Sequence, residues 1–188
     1  MRGVTPSVLR LAYDMVDTLR DAGGVGLAAN QVNSLRRVIV IQLPDEDETA
    51  RIYINPEIVH REGKREIEEG CLSIPGYKAY ISRSVWVKFS ALDHMAIQVK
   101  LKADELLSQV LEHEVDHLNG ILYVDHMESH QKLIKVEPHP DSEVDLPAHP
   151  DQNRYVVGRP RSDSTDGLVH TKGSGRDARE TPASLMVG

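Results

Sequence analysis

The chain has 188 residues, 40% of them hydrophobic but only 4% aromatic, and a formal net charge of -7. That length supports one domain with an aliphatic core, and the acidic balance argues against a nucleic-acid binder driven by bulk positive charge. A single cysteine cannot form an intrachain disulfide, no apolar run approaches the ~20 residues of a membrane span, and residues 1–14 lack the apolar stretch of a signal peptide, so a soluble cytoplasmic protein with no membrane partner is expected.

Thr5-Pro6 reads as a helix start, with Thr as cap and Pro at the first helical position. Leu11, Ala12, Met15, Val16 and Leu19 form its apolar stripe, and Gly23-Gly24 ends it. The following run, Gly24 to Gln31 (GVGLAANQ), lacks the Gly-Lys-Ser/Thr ending of a phosphate loop, which argues against a nucleotide site. It reads either as a helix-to-strand connection packed by small residues or as a backbone edge able to pair with an extended peptide, with the amide of Gln31 beyond it. The run alone leaves both open. Strands are expected at 37–43, at 52–59 and at 85–92, the last with Val85, Val87, Phe89 and Ala91 on one side. Ile97, Val99 and Leu101 alternate in the next strand, and Asp93-His94 marks a tight hairpin between the two.

Residues 104–119 read as a helix closed by Gly120. Leu107, Leu111 and Leu118 form one apolar row, and Leu106, Val110, His113 and His117 a second. Glu105, Gln109, Glu112 and Asp116 form a narrow polar strip. A helix apolar over most of its circumference belongs in the middle of the domain. Residues 137–188 carry six of the ten prolines and continue no apolar stripe, so they are expected to form a disordered tail.

The chemistry concentrates in two places. In His113-Glu114-Val115-Asp116-His117, two histidines four apart share a helix face and can grip one metal ion, with Glu114 placed to handle protons on a bound water. Short motifs recur by accident, but these imidazoles emerge from an apolar row where unpaired rings would be costly. Cys71 follows Gly70 in a short run ending at Pro75-Gly76. It can supply a third ligand and leave the fourth position open, as catalytic sites do. A nucleophilic cysteine beside a histidine is the alternative. The metal reading is preferred because both histidines are already committed to one face.

Taken together, GVGLAANQ at 24–31, EGCLS at 69–73 and HEVDH at 113–117 resemble, in order and spacing, the signature motifs of the peptide deformylase family. The resemblance covers residues 9–136 and makes 1–136 the catalytic domain. It implies an α+β fold, with small, mostly antiparallel sheets around a central helix that carries the HExxH motif. It implies that Cys71, His113 and His117 bind one divalent metal with water as fourth ligand, commonly Fe(II), with zinc, nickel or cobalt accepted. Glu114 matches the general base and acid, and the Leu72 N–H and the Gln31 amide match the oxyanion donors. The implied reaction removes the formyl group from formyl-methionine on nascent polypeptides, with nascent chains and transiently the ribosome as partners and no tight nucleic-acid binding. Val25, Gly26 and Gly70 match substrate-backbone contacts. Leu106 and Val110 suit the walls of a methionine pocket, and Glu69 with Arg83 resembles an ion pair supporting the cysteine loop.

The chain departs from the family pattern at Glu112, where Gln is usual, and at Asn33, where Gly is usual. On the polar strip the first change is expected to matter little, and Asn33 can keep a left-handed turn. The segment before the first helix is shorter than the family's, from which lower stability is expected. The tail is expected to be dispensable for hydrolysis. Two rivals to the deformylase reading are an HExxH metallopeptidase cutting internal peptide bonds and a non-catalytic peptide binder.

Overall fold

The computed structural model describes residues 3–44, 49–127 and 133–136. In chain order the elements are α1 (Pro6–Ala22), β1 (Gly26–Ala28), β2 (Val38–Ile41), β3 (Arg51–Glu62), β4 (Arg65–Cys71), β5 (Ile74–Arg83), β6 (Trp86–Leu92), β7 (Gln98–Asp104), α2 (Glu105–Leu118) and β8 (Ile134–Lys135). The expected tail, 137–188, lies outside the described residues.

Helix α1 starts where Thr5 accepts a hydrogen bond from the Val8 N–H and Pro6 occupies the first turn, where an N–H would have no helical partner. It stops at Gly23, whose φ of 66° turns the chain left-handed, so that the N–H groups of Gly23 and Gly24 reach the carbonyls of Arg20 and Leu19. Short segments then build a five-stranded antiparallel sheet in the order β1-β2-β3-β6-β7. Strand β2 shows why its sequence is apolar without alternation: Val38 and Val40 pack on α1, while Ile39 and Ile41 face the core that holds α2. A strand covered by a helix on each face reads as a continuous hydrophobic run. The α1 side also uses Val8, Ala12, Met15, Val16 and Leu19 against Leu27, Ile52 and Ile54. On the α2 side Val110, Leu111 and Val115 meet Tyr53, Val87, Phe89 and Ala91, with the Tyr53 and Phe89 rings edge-on at 4.9 Å.

A second, three-stranded sheet, β4-β5-β8, holds the cysteine. Its small core contains Cys71, Ala79, Ile81 and Tyr123. The sequence pattern shows neither β4 nor β5, and Pro75 and Gly76 lie inside β5 instead of ending a loop. The turn joining the two strands is at Leu72 and Ser73. Elsewhere β6 begins at Trp86, which leaves Val85 outside the strand and exposed. The β6–β7 connection is wider than a two-residue turn. It runs from Asp93 to Ile97, with the Asp93 carboxylate accepting from the N–H groups of Met95 and Ile97 at 2.8 Å each. No helix among the described residues is long and apolar enough to cross a membrane.

Helix α2 sits as its pattern predicts, but the C-terminal half of its polar strip is interior, while Glu105 at the other end is exposed. Glu112 and Asp116 are buried, at 4% and 5% exposure. Glu112 accepts from the Ser84 N–H at 2.9 Å, the Ser84 hydroxyl at 3.0 Å and Arg61 Nε at 2.9 Å. The expectation that this position matters little is therefore corrected: a carboxylate this deep requires the arginine and the serine beside it.

Candidate metal centre

Because His113 and His117 are one turn apart on α2, their Nε2 atoms come within 3.0 Å of each other. Cys71 arrives from the other sheet. A register shift between Gly70 and Cys71 at the end of β4 re-aims the thiol, whose Sγ lies 3.2 Å from His117 Nε2. All three residues are buried, and their ligating atoms lie within 4.8 Å of one another. Ser73 N donates to Sγ at 3.3 Å, and Asn30 Nδ2 donates to the His117 carbonyl at 2.5 Å. The GVGLAANQ and EGCLS segments thus both fasten to the cluster.

The electrostatics suit a cation at this point. Burial pushes the Cys71 thiol up, but hydrogen bonds and positive charge from His113 and His117 outweigh it and bring the thiol down to about 6, so the thiolate prevails at neutral pH. Burial lowers His113, but its bonds to Cys71 and Glu69 and the charges of Glu114 and Glu69 raise it to about 10. A divalent ion would answer the same negative field and displace the imidazole proton. His113 Nδ1 lies 2.5 Å from Glu69 Oε1, which leaves Nε2 as the ligating nitrogen, the arrangement in which a carboxylate orients a metal-binding histidine.

Glu114 is wholly buried, and neither of its oxygens has a hydrogen-bond partner among the described residues. Burial raises its pKa to about 7 against the opposing charges of His113 and His117. An unpaired buried carboxylate is costly to a fold that uses it for nothing else. Gly26 explains how room is made for it. A Cβ there would run into Glu114 Oε1, and would stand 2.9 Å from both Glu114 Cδ and Val110 Cγ1.

Gln31 spans two motifs: Oε1 accepts from the Ala28 N–H at 2.8 Å, and Nε2 donates to Ser73 Oγ at 3.0 Å. Leu72 lies in the turn next to Cys71. Strand β1 is an edge of its sheet, as β4 is of the other. Gln42 N donates to the Val25 carbonyl at 3.0 Å, so Val25 spends that carbonyl inward on the residue just past β2 while its side chain enters the core. By antiparallel alternation, the next residue, Gly26, points its backbone groups at the open edge. Gly70 is buried in β4 beside Cys71. Val110 is buried against Gly26, and Leu106 is partly buried against the same core. Glu69 and Arg83 form a bidentate buried pair at 2.8 and 3.1 Å. Sequence reasoning missed Ser73, Asp116 and His126. The tertiary partners that give these residues their roles leave no trace in local pattern.

A thiol, two imidazoles and a buried carboxylate on an HExxH helix define the class of metal-site hydrolases. Residues 2–133 match the family model described as polypeptide deformylase. A peptide deformylase of Dehalococcoides mccartyi is 45% identical over 132 residues, covering 70% of this chain and 78% of the relative. The crystal structure of a peptide deformylase from Legionella pneumophila is 39% identical with a TM-score of 0.65, over 69% of this chain and 76% of that one. A class I type b peptide deformylase from Acinetobacter baumannii with Met-Ala-Ser bound is 32% identical with a TM-score of 0.62, over 65% and 82%. The chain belongs to the polypeptide deformylase family.

Proposed function

We propose that this chain hydrolyses the N-formyl group of peptides that begin with formyl-methionine, releasing formate and a free amino terminus. The observation that carries the reading is the unpaired, buried Glu114 carboxylate beside the Cys71, His113 and His117 cluster. Family membership supports it, as does the Acinetobacter baumannii relative, which holds a tripeptide beginning with Met.

Cys71 Sγ and the Nε2 atoms of His113 and His117 are the proposed ligands of one divalent ion. Fe(II) is the proposed ion, and the mixed sulfur and nitrogen donors also suit zinc, nickel or cobalt. When bound, the ion supplies Lewis acidity toward water and toward the formyl carbonyl. Glu114, raised to about 7, takes the proton of the attacking water and returns it to the leaving amine. A carboxyl titrating near the working pH is suited to both halves of that transfer. Gln31 Nε2, which donates to Ser73 Oγ, and the Leu72 N–H are proposed to donate to the developing oxyanion.

Gly26, at the free edge of β1, pairs with the backbone of the extended peptide, and Gly70 lets that backbone approach β4. Val25, expected among the substrate-backbone contacts, is instead proposed to seat β1 through its carbonyl bond to Gln42. Val110 and Leu106 wall the site for the methionine side chain. Glu69 and Arg83 hold the cysteine strand and His113. Nascent chains in the cytoplasm, met transiently at the ribosome, are the proposed substrates.

Formate release from formyl-Met-Ala-Ser by protein purified without oxygen and analysed for metal tests this function. Turnover is expected on the formylated peptide and not on internal bonds of unformylated peptides. Cleavage of the latter alone would overturn it in favour of a peptidase.

A further inference from the structure

The buried row of α2 next to the metal-binding histidines carries two charges, Glu112 and Asp116, outside the proposed ligand set. Asp116 Oδ2 lies 2.5 Å from Arg83 Nη1 and 2.7 Å from His126 Nε2. The same guanidinium grips Glu69 through Nε and Nη2. Glu69 Oε1 accepts from Arg83 Nη2 and also meets His113 Nδ1, so a single oxygen joins the arginine to the ligand histidine. A planar guanidinium fork bound at both ends cannot tilt without dragging that oxygen. One turn earlier on α2, Glu112 holds the neighbouring Ser84 through its N–H and hydroxyl and is braced by Arg61. The end of β5 is thus clamped to the helix by two carboxylates four residues apart. The side chain of His126, the outer end of the chain of contacts, is one-third exposed and opens on a cavity of about 760 Å³. None of Cys71, His113, Glu114 or His117 lines that cavity.

We infer that Asp116, braced by His126, is a positioning residue for His113: it fixes Arg83, Arg83 fixes Glu69, and Glu69 fixes the ring whose Nε2 faces Cys71 and His117. The inference deepens the proposed metal site and rests on it. Asp116 acts through two other side chains and touches no reacting group. A purely structural Asp116 would only neutralise a buried arginine. Its loss would then lower stability and leave the orientation of the metal-binding imidazole as it was. A positioning Asp116 changes what the metal reports. Supporting partners of this kind alter metal affinity or activity by about 10- to 100-fold when removed.

The test compares Asp116→Ala, Asp116→Asn and His126→Ala with the parent, as full chains loaded with cobalt. Asp116→Asn keeps an acceptor oxygen where Arg83 and His126 converge. Asp116→Ala is expected to release cobalt at least about 10-fold faster, to shift the cobalt visible bands, and to lose about 10-fold in kcat at unchanged KM. Asp116→Asn should return most of each. The downfield proton signal of the His113 Nδ1–H is read on the same proteins without metal and should move in Asp116→Ala. A folded Asp116→Ala with the parent's cobalt spectrum, release rate and proton signal overturns the inference. If Asp116→Ala does not fold, His126→Ala decides: faster cobalt release supports the clamp, and an unchanged rate and proton signal overturn it. Failure of the parent to bind metal or release formate would sink the proposed function. The metal-free proton signal would still judge the clamp.

Discussion

Replacing Gly26 by Ala perturbs the site by a single methyl whose consequences the coordinates define. The backbone at Gly26 is not in the left-handed region, so alanine meets no conformational penalty there and the effect is steric. The new Cβ would stand 2.9 Å from Glu114 Cδ and from Val110 Cγ1, where ordinary contact begins near 3.4 Å. Each neighbour must retreat by at least 0.5 Å, and the Glu114 carboxylate by more, since its Oε1 is closer still. Glu114 has no hydrogen bond to hold it among the described residues, so it yields first. The stability cost then falls near the low end of the ~1–3 kcal/mol typical of overpacking. The catalytic cost is larger, because a displacement of about 1 Å in a reacting group costs about 100-fold, or about 2.7 kcal/mol of barrier. The assay is kcat/KM for formyl-Met-Ala-Ser, with metal content and a thermal melt on the same samples. Gly24→Ala is the comparison. Its Cβ crowds the ends of Leu72 and Leu19, at 3.0 and 3.1 Å, and makes an ordinary contact with the Gly26 carbonyl at 3.6 Å; flexible side chains can move, so a loss of only a few-fold is expected. Parental kcat/KM in fully metallated Gly26→Ala would refute the packing argument.

Two further outcomes follow from the geometry. Burial pushes the Glu69 carboxyl up, but hydrogen bonds and charge from His113 and Arg83 outweigh it and hold it near 2, below its ordinary 4.5. A depressed carboxyl stabilises the fold above its unfolded pKa and loses that contribution as pH falls. Metal-free protein should therefore lose up to about 3 kcal/mol between pH 4.5 and pH 2, read as a fall in urea midpoint. Glu69→Gln should lose less over that window, and parallel curves would contradict the account. Asn33 sits at φ 60° and closes the 3-10 turn that carries Gln31. Asn33→Ala should cost about 1–2 kcal/mol in urea unfolding and Asn33→Gly much less, whereas equal losses would show that the left-handed turn is not the cause.

The sequence is most readable where one rule governs a segment. Helix α1 shows cap, stripe and glycine stop, and α2 shows its periodicity, because local and tertiary demands agree there. Strands β4 and β5 are hidden for the opposite reason. Glu69, Cys71 and Arg83 occupy buried strand positions where a pattern search looks for valine or isoleucine, so the charges that serve the site erase its alternation. The HExxH spacing made the ligand histidines legible, and the three motifs in order pointed to the family. Glu112 and Asp116 read only as part of a polar strip because spacing on a helix reports a face and not what covers it. Only the placement of Arg61, Arg83 and Ser84 shows that face to be interior. The room that Gly26 leaves for Glu114 likewise exists only once β1 lies against α2.

The most direct test of the account is Glu114→Gln in protein purified without oxygen, with metal content and formate release measured on one preparation. The account predicts that the parent releases formate from formyl-Met-Ala-Ser with one metal per chain. The variant should keep that metal, since Cys71, His113 and His117 are untouched, and release no formate. Turnover by the metal-bearing variant at the parental rate would contradict the central claim.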